Sequence, residues 1–105
     1  MTDLLWLSAT ETASLIRRRK LSPVEYVDAV LAQIERLQPT LNCFATVTAE
    51  RARADASRAE AAVMADEPLG PLHGVPVIVK DLIATAGVLT ALGSAIFAQH
   101  GPSRD

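Results

Sequence analysis

One amine stands out among the side chains able to do chemistry. Lys80 ends the apolar run Val75-Pro76-Val77-Ile78-Val79, and Asp81 follows it. Desolvating an ammonium is expensive, so a lysine at the tip of such a run either reaches water or is held there for a purpose. Taken alone, snorkelling is the commoner arrangement, with the methylenes on apolar surface and the charge in solvent. The functional alternative is a partly buried amine whose pKa falls until it accepts a proton. Asp81 opposes that fall, because a nearby carboxylate favours the charged form.

The remaining inventory is thin. His73 and His100 sit far apart in loop-like stretches, and Cys43 is the only cysteine. No internal disulfide can form, no structural metal site is expected, and no cofactor is expected. The stretch "GPLHG", Gly70 to Gly74, has neither the spacing nor the following helix of a phosphate-binding loop. His73 precedes the apolar run, where a hydrogen-bonded loop role is preferred over a catalytic one. Cys43 reads as a small core residue in preference to a reactive thiol. Arg17 to Lys20 form a basic cluster, read as a solvated helix end in preference to a phosphate site. The formal net charge of -2 supports that preference and argues against nucleic-acid binding.

The elements that must position these residues follow from spacing. With 105 residues, 50% of them hydrophobic and 21% charged, the chain is expected to be one small domain over residues 1–105. "SATE" places Ser8 at an N-cap and Glu11 three residues on, with Ala9, Ala13 and Ile16 on one face. "SPVE" sets Ser22 at an N-cap, Pro23 at the first helical position and Glu25 at the third. Val24, Val27, Leu31, Ile34 and Leu37 continue that second helix, and Gln38 to Thr40 are expected to end it. The two helices form a hairpin. A third helix runs from an N-cap at Thr48 to about Met64, with Ala52, Ala56, Ala59 and Val63 on its packing face. Its charged face offers the pairs Glu50–Arg53 and Asp55–Arg58.

Three short strands are expected: Cys43 to Val47, the buried run Val75 to Val79, and Val88 to Thr90 after a turn at Gly87. A helical turn is expected from Ser94 to Ala98. The fold class is therefore α/β: a helical hairpin, a third helix and two to three short strands. In open α/β sheets ligand sites gather at the carboxyl ends of strands, which is where Lys80 falls. The N-terminus lacks the basic region of a signal peptide, and no apolar run reaches the ~20 residues of a membrane span, so a cytoplasmic location is expected.

The stretch "GPLHGVPVIVKDLIATAGVLTALGS" closely resembles the N-terminal motif of the amidase signature family. "SATETASLIRRRKLSPVEYVDAVLAQIERLQPTLNCFATVTAERARADA" is similar to the helical lead-in of the same family. The resemblance runs from about Leu5 to Asp105. Ala84 departs from it, where an acid is common, and so does Ala91, where a second Thr is frequent. The resemblance implies an α/β/α sandwich, and an enzyme that hydrolyses amides or transfers their nitrogen through a serine nucleophile, a bridging serine in a cis peptide, and a lysine. It places the lysine at Lys80, in an enclosed cleft. Gly74 and Pro76 match positions that shape the approach to the lysine, and Asp81 and Ser94 match structural supports.

The resemblance also implies that both serines lie in a Gly/Ser-rich segment downstream. Ser8, Ser14, Ser22, Ser57, Ser94 and Ser103 are not in such a segment. The chain is thus expected to be an N-terminal portion that carries only the lysine and is inactive alone. Its substrate, a small-molecule amide, would bind only in the longer enzyme. The alternative is a non-catalytic remnant that binds a partner. A strand apolar on both faces needs neighbours, so the isolated chain is expected to be marginal, or oligomeric through an exposed sheet edge.

Overall fold

A computed structural model describes residues 2–80, 83, 85–89 and 101. A 3-10 helix, Thr2–Trp6, is followed by three α-helices: α1 (Ala9–Arg17), α2 (Pro23–Leu41) and α3 (Ala49–Met64). The chain divides into two compact units, Met1–Leu41 with Ala49–Pro76, and Asn42–Thr48 with Val77–Asp105.

In the first unit each helix begins where a side chain can satisfy its free amides. The Ser8 hydroxyl accepts from the Glu11 amide at 3.1 Å. Ser22 accepts from the amides of Val24 and Glu25 at 3.1 and 3.4 Å. Such caps contribute about 1 kcal/mol each. Pro23, preset in φ and lacking an N–H that would be orphaned there, opens α2. α2 runs on through Pro39 to Leu41, past the expected stop at Gln38 to Thr40.

α1 and α3 end alike. The amides of Arg19 and Lys20 donate back to Ile16 and Leu15 at 3.0 and 2.8 Å, and those of Asp66 and Glu67 to Val63 and Ala62 at 3.2 and 3.1 Å. Both are Schellman closures, whose turning residue usually is glycine. Here it is Arg19 (φ 58°) and Asp66 (φ 55°). A side chain in the left-handed region is disfavoured by roughly 1–2 kcal/mol. Both positions gain a partner in return, because the Arg19 guanidinium meets the Asp66 carboxylate at 2.6 Å. The pair is largely solvent-exposed, so it offsets only part of that strain.

α2 packs on α3, and the 3-10 helix lies against α2. The core is small: Ile16, Leu21, Tyr26 and Val63, flanked by Leu4, Leu7, Leu15, Val30 and Leu69. Val27 of the expected stripe is buried, while Val24, Leu31, Ile34 and Leu37 are only half-buried. Thr12 is fully buried, and its hydroxyl donates to the Ser8 carbonyl at 2.9 Å. On α3, Ala56 and Val63 are buried and Asp55 pairs with Arg58. Arg53 reaches Asp28 of α2 at 3.0 Å; its expected partner was Glu50.

The expected α/β class is overturned. Among the described residues there is no strand and no sheet. Cys43 to Val47 is irregular, and Cys43 is exposed, outside any core. Val75 to Val79 forms no ladder. Val77 is 80% and Ile78 74% exposed. Val88 and Leu89 lie in a bend and an irregular stretch, not in a strand. A β-branched run is a strand only when another backbone answers its N–H and C=O groups. No such partner stands beside it among the described residues. The expected turn at Gly87 is present: the Val88 amide donates to Thr85 at 3.1 Å, and Gly87 takes φ 76°, where a side chain would be strained. The helical turn expected over Ser94 to Ala98 lies outside the described residues, as do Asp81, Ala84, Ala91 and His100. None of the described helices is long and apolar enough to cross a membrane.

Candidate active site

The approach to Lys80 is built on the helical unit. Beyond the closure of α3, the chain turns twice between Gly70 and Val75: the His73 amide donates to the Gly70 carbonyl at 3.2 Å, and the Val75 amide to Leu72 at 3.1 Å. Three groups fasten this double turn. The Arg17 guanidinium, on the last turn of α1, donates to the carbonyls of Gly70 and Pro71 at 3.4 and 3.3 Å. The His73 Nε2 lies 2.9 Å from the Ala59 carbonyl of α3. Gly74, at φ 86°, lies so close to α1 that a Cβ would come 2.9 Å from Ile16 Cδ1 and 3.3 Å from Pro23 Cγ. Glycine there answers both the left-handed backbone and the lack of space.

Lys80 itself is exposed, and its carbonyl accepts from the Ile83 amide at 3.0 Å. It therefore ends the apolar run in a turn. Among the described residues no group of three or more His, Cys, Asp or Glu side chains could hold a metal ion.

A separate groove of about 830 Å³ opens beside α2, floored by Leu5, Val24, Ala29 and Ala32. On its wall the Ser22 hydroxyl donates to Glu60 at 2.8 Å. A serine beside a carboxylate suggests a nucleophile and base, but the Ser22 oxygen also accepts two cap amides, so its lone pairs are committed to α2.

The basic cluster has a role that its composition did not show. Arg17 grips the double turn, and Arg19 donates to the Val63 carbonyl at 3.1 Å and to Asp66 at 2.6 Å. His73 holds the loop role expected of it, and the Gly74 position has the tight geometry its match implied. Two partners went unread in the sequence. Nothing local links Arg17 to residues 53 and 54 positions away, or His73 to a helical carbonyl. The one available signal was the pairing of His73 with Gly74, a polar ring beside a residue that tolerates close approach.

With the geometry in place, likeness to known proteins is informative. The Amidase family model matches residues 25–105. The putative amidase AmiD of Mycobacterium tuberculosis is 43% identical over 99 residues, covering 94% of this chain and 21% of that protein. The A subunit of the glutamyl-tRNA(Gln) amidotransferase of Salinispora tropica is 43% identical over 105 residues, 100% of this chain and 21% of its own length. The acylamidase of Rhodococcus erythropolis is 38% identical over 91 residues, 87% of this chain and 19% of that protein. The chain spans about a fifth of the length of these relatives.

Proposed function

This chain belongs to the amidase family, and from that membership we propose that it supplies the lysine of a Ser–cisSer–Lys mechanism acting on a carboxamide. In this reading the neutral Lys80 amine takes a proton from a bridging serine hydroxyl, which takes one from the nucleophilic serine. That serine attacks the amide carbonyl. The proton returns along the same relay to the departing nitrogen, leaving an ester that water or another acceptor resolves. The serine pair is not among these 105 residues, and the chain alone turns nothing over. The reaction is hydrolysis or transfer of the amide nitrogen, since the relatives carry names of both kinds. The observation that supports this reading is that the family match includes Lys80 at the end of "VPVIVKD".

The exposure of Lys80 fits a base only if further polypeptide covers it, because an amine in water stays charged at neutral pH. The test is a graft in which these 105 residues replace the matching segment of the Rhodococcus acylamidase. Lys80→Ala should lower kcat by about 10²–10⁴. Lys80→Arg should do the same, because a guanidinium stays protonated. Turnover of either variant within about threefold of the Lys80 graft, ~0.7 kcal/mol of barrier, removes Lys80 as the base.

A second reading is a non-catalytic, partner-binding chain. The exposure of Val77 and Ile78 favours it. A graft that folds but turns nothing over with Lys80 in place would support that reading over the first.

A further inference from the structure

We propose that His73 and Arg17 are positioning residues for the segment that bears Lys80, an inference that rests on reading Lys80 as the base. The double turn of residues 70–75 is not held down by its own apolar side chains. Leu72, at its centre, is 53% exposed, while the polar His73 beside it is docked on α3. A loop whose only task was to cover the core would present these two residues the other way round.

The contacts that do hold the turn are directional. A helical carbonyl has a second lone pair, so Ala59 accepts from the His73 ring without leaving its ladder. The acceptor is a carbonyl, so Nε2 carries the proton, and this holds for the neutral Nε2–H tautomer and for imidazolium alike. Arg17 is charged and spans two successive carbonyls, which fixes the turn's orientation as well as its distance. Gly74 then sets the depth of approach to Ile16 and Pro23.

Pro76 carries this orientation onward. Its ring fixes its own φ near −65° and confines Val75 to extended conformations, so the first peptide of the Lys80 run inherits the direction of the anchored turn. The run has no ladder among the described residues to set its course, which leaves this anchor to do so. Catalytic groups displaced by about 1 Å lose much of their effect, so an anchor at the root of the run bears on the placement of its tip.

Amide exchange of the 105-residue chain by NMR tests the anchor. His73→Ala should speed exchange at Val75 by about three- to tenfold, the range of one lost hydrogen bond, and leave Val27 and Val30 of α2 unchanged. His73→Gln, whose amide nitrogen reaches about as far as Nε2, should restore the parent rate. Arg17→Met should loosen the amide of His73 in the same selective way. Unchanged exchange at Val75 overturns the proposal. So does equal acceleration at Val27, because the contact would then hold the helices together and not the turn. In the acylamidase graft, His73→Ala should lower kcat with KM unaltered, and His73→Gln should recover it; a loss that glutamine fails to rescue also counts against the role. If Lys80 is not the base, the Lys80→Ala graft keeps its turnover while the exchange results stand, so the two failures are distinguishable.

Discussion

Ile16 and Ile78 are the same residue type in opposite circumstances. Ile16 is 1% exposed in the core of the helical unit, and Ile78 is 74% exposed in the run before Lys80. The contrast lies in the backbone more than in hydrophobicity. A helix closes its own hydrogen bonds and then needs only one face covered. An extended run closes none, and its side chains find cover only when neighbouring chain arrives. The helical unit brings caps, Schellman closures and a shared core within 76 residues. The run "VPVIVK" has a strand's composition and nothing to pair with among the described residues.

The sharpest test of this contrast is a matched pair of truncations. Ile16→Ala should destabilise the chain by about 2–5 kcal/mol, and Ile78→Ala by less than about 0.5 kcal/mol, read as the shift in urea midpoint at constant slope. Comparable losses at both sites would show that the run is packed in solution, and the contrast would fail.

Gly74→Ala probes the seam where the helices hold the approach to Lys80. A methyl at φ 86° with Ile16 Cδ1 2.9 Å away should cost about 1–3 kcal/mol, from backbone strain and a displaced side chain together. Thermal denaturation would show it. An unchanged melting temperature would mean that the turn is not seated on α1.

The smallest effect is expected at a cap. Ser22→Ala removes two amide contacts and the bond to Glu60, and should cost about 1–2 kcal/mol. Ser8→Ala, with one amide contact, should cost less, about 0.5–1 kcal/mol. Reversal of that order in denaturant titrations would remove the Ser22–Glu60 bond from the account of α2–α3 packing.

Legibility followed the range of the interaction. Ser8, Ser22 and Pro23 announced helix starts because a cap is a bargain among residues two or three apart. The turn at Gly87 was readable for the same reason. The left-handed closures at Arg19 and Asp66 were not, because glycine is the local signal for such a closure and here each side chain is the other's partner across 47 residues. Tyr26 was also missed: the apolar stripe of α2 drew attention to aliphatic positions, yet the ring beside them enters the core and Leu31 and Ile34 stay half-covered. As for the candidate site, Lys80 was legible through composition and resemblance, and the anchor of Arg17, His73 and Gly74 was not.

By itself, then, the amino-acid order determined where three helices begin, that Lys80 ends an apolar run, and which family the motif around it resembles. Each of these depends on neighbours along the chain. Tertiary structure alone decided that Arg17 and His73 grip the turn before that run, that Arg19 and Asp66 close two helices as a pair, and that Val77 to Val79 form no strand among the described residues. Those outcomes depend on which distant groups come within hydrogen-bonding reach. Local spacing cannot specify that, because a hydrogen bond or a ladder needs a partner and the partner's position is a property of the fold.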